Sequence, residues 1–146
     1  MSGTSSETLR IGLDVVAVDE VARSVERFGD RYVRRIFTDH EIACCRRAGR
    51  GGGATPPYAM DSLAARFAAK EAVIKVLRPV EGQPEWRSIE LHRMTGGWCE
   101  IHLSGLAADL AVEAGIDEFS VSVSHEADFA AAVVVGRCTQ EERGER

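Results

Sequence analysis

Arg66-Phe67-Ala68-Ala69-Lys70-Glu71-Ala72-Val73-Ile74-Lys75 sets apolar residues among three cations and one carboxylate in a single run. Alanine and straight-chain residues favour a helix here, and the run continues a helical pattern over about Met60 to Arg78 that stops before Pro79. Phe67, Val73, Ile74 and Leu77 supply a buried stripe, while Glu71 and Lys75 fall four residues apart on a neighbouring face. Taken alone, that pair is the commonest stabilising device on a solvent-exposed helix. A carboxylate and several cations on one wall also suit a metal and a phosphorylated ligand.

The second reading gains weight from two other segments. Ile11-Gly12-Leu13-Asp14-Val15-Val16-Ala17-Val18 reads as a strand covered on both faces, with Asp14 in its middle. An unpaired buried carboxylate is costly, so Asp14 is expected to be hydrogen-bonded, ion-paired or bound to a cation. Near the end, Phe119-Ser120-Val121-Ser122-Val123-Ser124-His125 alternates with a period of two. Glu126-Ala127-Asp128 then separates it from Phe129-Ala130-Ala131-Ala132-Val133-Val134-Val135. This is a hairpin pattern with His125 where the first strand meets its turn, a position suited either to a phosphate or ribose contact or to a half-exposed polar residue.

Length and composition fit one domain: 146 residues, 45% hydrophobic, net charge −5. No apolar run reaches the roughly 18 residues of a membrane span, and the N-terminal residues lack the basic and apolar regions of a signal peptide, so a cytoplasmic location is expected. Cys44, Cys45, Cys99 and Cys138 show no metal-ligand spacing; reduced thiols and no zinc site are expected. The predicted elements are a first helix near Asp19 to Phe28 with Asp19 as N-cap, and a second from Thr38 toward Arg47 with a capping-box outline (Thr38, Glu41). After the loop Gly49 to Pro57 comes the long helix, followed by strands over 88–93 and 98–103 joined through Gly96-Gly97. A helix from Leu106 to Ala114 ended by Gly115 precedes the terminal hairpin. The domain is expected over 9–137, with flexible termini at 1–8 and 138–146.

Taken in order, Ile11-Gly12-Leu13-Asp14-Val15-Val16, Arg66-Phe67-Ala68-Ala69-Lys70-Glu71-Ala72 and Val121-Ser122-Val123-Ser124-His125 closely resemble the 4′-phosphopantetheinyl transferases of the small holo-(acyl-carrier-protein) synthase type. Arg35-Ile36-Phe37-Thr38-Asp39-His40-Glu41 and the passage from Trp86 into Ile89-Glu90-Leu91 add to the likeness, which spans roughly residues 9 to 137. The resemblance implies an α+β fold (strand, three helices, two strands, helix, two strands), trimeric, with active sites between subunits. It also implies transfer of phosphopantetheine from coenzyme A to a serine of an acyl carrier protein, with release of adenosine 3′,5′-bisphosphate.

By the same resemblance, Asp14 and Glu71 match the metal positions, for a magnesium ion that favours hard oxygen ligands. Arg66, Lys70 and Lys75 match basic positions around the nucleotide and pyrophosphate, and Ser124 with His125 matches contacts to the ribose-phosphate end. Glu71 and Lys75 are the expected catalytic residues. The general base is open among Glu71, a metal-polarised water and a carboxylate brought by the partner, with Glu71 or a water near it favoured.

One departure from the family lies at Leu77 to Pro84, where a glycine-rich turn is common and only Gly82 stands. Two rival readings share the fold: a noncatalytic carrier-protein-binding module, and a regulatory domain that binds coenzyme A. The pathway served, fatty-acid, polyketide or another, is not legible.

Residues 21–50 hold eight arginines against four acids in a chain that is acidic overall. Arg23, Arg27 and Arg31 recur every four residues and would stack on one face if the first helix reaches that far. Such a stripe suits an acidic carrier protein. A pI near 5.4 and the lack of a basic run interleaved with aromatics argue against nucleic acid.

Overall fold

The computed structural model describes residues 5–47 and 57–140. The order is β1 (Ser6–Ala17), α1 (Val18–Phe28), α2 (Asp30–Ile36), α3 (Asp39–Cys45), α4 (Met60–Leu77), a 3-10 turn (Trp86–Ser88), β2 (Ile89–Arg93), β3 (Cys99–Leu103), α5 (Gly105–Glu113), β4 (Ile116–His125) and β5 (Phe129–Gln140). All strand pairs are antiparallel, in the order β1-β5-β4-β3-β2. The fold is α+β, as the resemblance implies.

The long helix α4 lies across one sheet face and is buried on most sides. Leu63, Val73, Val76 and Leu77 are almost wholly enclosed, each worth about 1.5–3 kcal/mol of burial. Two glycines set the approach. A Cβ added at Gly12 would stand 2.0 Å from the Ala72 carbonyl oxygen, and one at Gly136 would stand 2.7 Å from Val76 Cγ1. Only a residue without a side chain lets β1 and β5 sit this close to the helix.

Four expectations are corrected here. A further helix, α2, separates α1 from α3. Gly29, at φ 61°, ends α1 with its N–H on the Val25 carbonyl, and Asp30 then opens a new seven-residue helix whose last turn carries Arg34 and Arg35. Asp19 is not the N-cap of α1; Ala17 holds that place, and Asp19 sits in the first turn paired to Arg23. The first strand is covered on one face only, because β1 is an edge strand. Gly12, Asp14 and Val16 meet α4, while Leu9, Ile11, Leu13 and Val15 stand 58–66% exposed on the other side. The strands also run past the expected domain limits, since Ser6, Glu7 and Thr8 pair with Gln140, Thr139 and Cys138.

Other boundaries match. The capping box of α3 is formed, with Glu41 N–H donating to Thr38 Oγ1 (3.2 Å) and Thr38 N–H to Glu41 Oε1 (3.1 Å). Helix α4 stops at Leu77, Arg78 turning left-handed (φ 52°) ahead of Pro79. Most of the loop read over Gly49 to Pro57 lies outside the described residues. No helix among the described residues is long and apolar enough to cross a membrane.

Candidate active site

Asp14 comes to α4 by strand alternation: two residues after Gly12, it occupies the same helix-facing side of β1. There it meets Lys75, whose Nζ donates to Asp14 Oδ1 (3.3 Å) and to the Leu13 carbonyl (2.6 Å). Glu71 lies one helical turn before Lys75. Burial pushes the Glu71 carboxyl above its ordinary range, the nearby Asp14 carboxylate pushes it further, and Lys75 pulls it back. Two carboxylates and one ammonium thus share a single wall where β1 crosses α4.

The donor set suits a hard cation. Two carboxylates that repel each other, one of them half-buried, gain from a divalent ion between them. Among the described residues no three His, Cys, Asp or Glu side chains converge on a metal position. A magnesium ion accepts that, since it commonly takes one or two protein carboxylates and fills its shell with water and phosphate oxygens.

A second cluster lies toward the start of α4. Arg66, Ser62, Arg93, Gly97, Cys99 and His125 line a cavity of about 180 Å³. Arg66 is 8% exposed; its Nη1 donates to the Ser62 carbonyl (3.3 Å), and its buried Nε has no partner. His125 stands at the end of β4 with Nδ1 3.6 Å from Asp61 Oδ2. Arg66 and His125 therefore share one cationic cavity. Ser124 does not join them. It pairs in register with Ala131 and is exposed on the opposite sheet face, with Ser120 and Ser122.

Lys70 is a correction. Instead of facing a ligand it is fully enclosed, with Nζ 2.6 Å from Glu41 Oε1 and further donations to the carbonyls of Trp86 (3.1 Å) and Ile89. Burial lowers its pKa and Glu41 opposes that shift. Glu41 also accepts from the Leu91 N–H (3.2 Å), so the pair fastens α3, the 3-10 turn and β2 to α4. A lysine one residue before Glu71 points roughly 100° around the helix, away from the site and into the core.

The arginine stripe is also broken. Helix α1 ends at Phe28, which leaves Arg31 on α2. Arg23 is held by Asp19 at 2.7 Å, and the Arg27 guanidinium lies 5.1 Å from the centroid of the exposed Phe28 ring.

Several residues escaped the sequence reading. Gly12 was legible as a glycine inside a strand, a mark of close backbone approach. Arg93, Ser62 and Cys99 carried no signal, because only the folded sheet brings them beside Arg66.

A profile of the 4′-phosphopantetheinyl transferase superfamily matches residues 10–134. The chain belongs to this superfamily. Among curated relatives of this transferase, the holo-[acyl-carrier-protein] synthase of Moorella thermoacetica is 39% identical over 136 residues, 93% of this chain and 99% of that one. Two solved structures are similar in fold. The holo-[acyl-carrier-protein] synthase of Neisseria meningitidis has a TM-score of 0.71 at 31% identity, covering 86% of this chain and 95% of that one. The Helicobacter pylori holo-[acyl-carrier-protein] synthase in complex with coenzyme A has a TM-score of 0.70 at 27% identity, covering 90% of this chain and all of that one.

Proposed function

We propose that this chain moves the 4′-phosphopantetheine group of coenzyme A onto a serine of an apo acyl carrier protein and releases adenosine 3′,5′-bisphosphate. The observation that carries this reading is the meeting of Asp14, Glu71 and Lys75 where β1 crosses α4. In the reaction the serine oxygen bonds to the phosphorus bearing the pantetheine arm. The bridging P–O bond of the diphosphate breaks, and the serine proton passes to a base. Glu71, or a water beside it, is the proposed acceptor of that proton.

Asp14 and Glu71 would hold a magnesium ion, which when bound supplies positive charge against the diphosphate. Lys75, a half-exposed ammonium whose Nζ is held by the Leu13 carbonyl, adds a point charge for the same oxygens. Arg66 and His125 take the ribose-phosphate end in their shared cavity, where the guanidinium offers a fork for phosphate oxygens. Lys70 is left out of the donor-binding set.

The proposal extends to a homotrimer with sites between subunits. Exposed Leu9, Ile11, Leu13 and Val15 on β1, in register with Arg137, Val135, Val133 and Ala131 on β5, form an apolar face of the kind that self-association covers. Ser124 belongs to that face and would reach a donor only across a subunit boundary. Arg23, Arg27 and Arg31, now on two helices, are the proposed carrier-facing cations. Cytoplasm is the proposed location, in keeping with four free thiols at Cys44, Cys45, Cys99 and Cys138.

The test is a mass measurement on an apo carrier incubated with the chain, coenzyme A and magnesium. The expected result is a serine bearing phosphopantetheine, suppressed by Asp14→Ala and by Glu71→Ala. A carrier that is bound but never modified would support the noncatalytic alternative.

A further inference from the structure

We infer that His40, His92 and His102 form a binding site for one borderline divalent ion of the zinc class, which clamps α3 onto the β2–β3 hairpin. The chain has four histidines, and three of them meet here. The His40 and His92 rings stack with centroids 4.2 Å apart and planes 13° from parallel; His92 and His102 stack at 4.0 Å and 16°. The middle ring, His92, is 25% exposed and His102 52%. Strand β2 is at the sheet edge, and α3 is fastened to it by the Glu41–Leu91 hydrogen bond, one residue after His40. Leu91 and Arg93 line the Arg66 cavity, so by alternation Glu90 and His92 take the opposite face of β2. The stack is therefore separate from the candidate active site.

Acids and imidazoles alternate on this face like a checkerboard, with Glu90 opposite His102 and His92 opposite Glu100. Each ring turns Nε2 to a neighbour: His92 to Glu90 Oε1, His102 to Glu100 Oε2 (3.6 Å) and His40 to Cys44 Sγ (3.7 Å). A neutral ring with its proton on Nε2 keeps a lone pair on Nδ1. A carboxylate behind the protonated nitrogen is the usual outer partner of a metal-bound histidine, fixing its tautomer and raising its basicity. Three imidazoles backed by two carboxylates suit zinc, nickel or copper, whereas magnesium and manganese favour oxygen ligands.

Positions 40, 92 and 102 make no spacing motif, and only the packing of α3 on β2 joins them. Lying flat on one another, the rings point their lone pairs sideways, and no three donors converge on a metal position in this arrangement. Rotation about the Cβ–Cγ bond, a broad torsion for histidine, turns the lone pairs inward. Zinc–nitrogen bonds of about 2.0–2.1 Å hold two nitrogens of one tetrahedral ion roughly 3.3 Å apart. Rings with centroids 4.0–4.2 Å apart need only a small displacement to reach that spacing. The bound ion replaces ring stacking by coordinate bonds that tie α3, β2 and β3 together.

The experiment uses the untagged full chain carrying Cys44→Ser, which removes the exposed thiol beside His40, with magnesium in excess to occupy Asp14 and Glu71. Zinc is titrated in competition with a chromophoric chelator, and thermal unfolding is followed at each zinc concentration. The expected result is one zinc per chain, with Tm rising by about 5–10 °C at roughly a hundredfold excess over the dissociation constant. His40→Phe, His92→Phe and His102→Phe each keep a ring in the stack but remove its nitrogens. Each should weaken zinc binding by at least about tenfold and remove most of the Tm rise. Alanine replaces phenylalanine wherever circular dichroism shows a disturbed fold. His125→Ala, outside the stack, should bind zinc as its parent does. No zinc uptake at micromolar concentration, unchanged binding in the three stack variants, or equal loss in His125→Ala overturns the inference. Binding that appears only when Cys44 is restored overturns it as well.

Discussion

Replacing Lys70 by methionine separates its two readings, core fastener and ligand contact. Methionine keeps much of the stem's volume but leaves the Glu41 carboxylate, with no exposed surface, facing no cation, and leaves the Trp86 and Ile89 carbonyls without their donor. Breaking a buried pair from one side costs about 3–5 kcal/mol, because the remaining charge stays desolvated. At roughly 3 °C per kcal/mol for a chain of this size, Tm falls by about 10–15 °C. Part of that loss returns in the double variant Lys70→Met/Glu41→Leu, which removes the stranded charge. Recovery is incomplete, since Glu41 also caps α3, at about 1 kcal/mol, and accepts from Leu91 N–H. Thermal unfolding of the wild type and the two variants gives the stabilities. Calorimetric titration with coenzyme A, at a temperature where all are folded, should give one common affinity. A Lys70→Met chain with wild-type Tm and weakened coenzyme A binding would refute the assignment.

Gly12→Ala drives a Cβ to 2.0 Å from a backbone oxygen of α4, a contact that no rotamer change relieves. Stability should drop by about 1–3 kcal/mol in a urea titration. Transfer should fall by about 10²-fold as Asp14 shifts from Lys75, since a displacement near 1 Å suffices for such a loss; a variant with wild-type midpoint and rate would show that the close crossing does not matter.

For Glu71 the folded-state pKa is raised, so its stabilising contribution is full below the ordinary carboxylate pKa and is lost as pH climbs through the folded value. In chelator, wild-type Tm should therefore decline relative to Glu71→Gln as pH rises across the carboxylate range, and magnesium should reverse that decline. Parallel curves for the two proteins, with and without magnesium, would show that the Asp14–Glu71 conflict is absent.

The site's core was legible because its parts sit on regular elements. Alternation in β1 fixes the face that Asp14 shares with Gly12, and the helical repeat places Glu71 beside Lys75. Lys70 was misassigned for a reason rooted in the same helix: α4 is buried nearly all round, so a charged residue on it is not thereby at a surface. The sequence pattern gave no hint of its partner, which lies 29 positions away on α3. The arginine stripe failed on one residue, Gly29, whose positive φ ends α1 before Arg31. On β1, alternate apolar positions were read as a second buried face. A single chain leaves them open, and an isolated strand carries no sign of whether a neighbouring helix or another subunit covers them.

Direct titration with manganese, followed by electron paramagnetic resonance, tests whether Asp14 and Glu71 hold one cation together. Wild-type chain should show a single site, abolished in Asp14→Asn and equally in Glu71→Gln, with both variants folded by circular dichroism. Retention of the site in either single variant would contradict the shared-cation account.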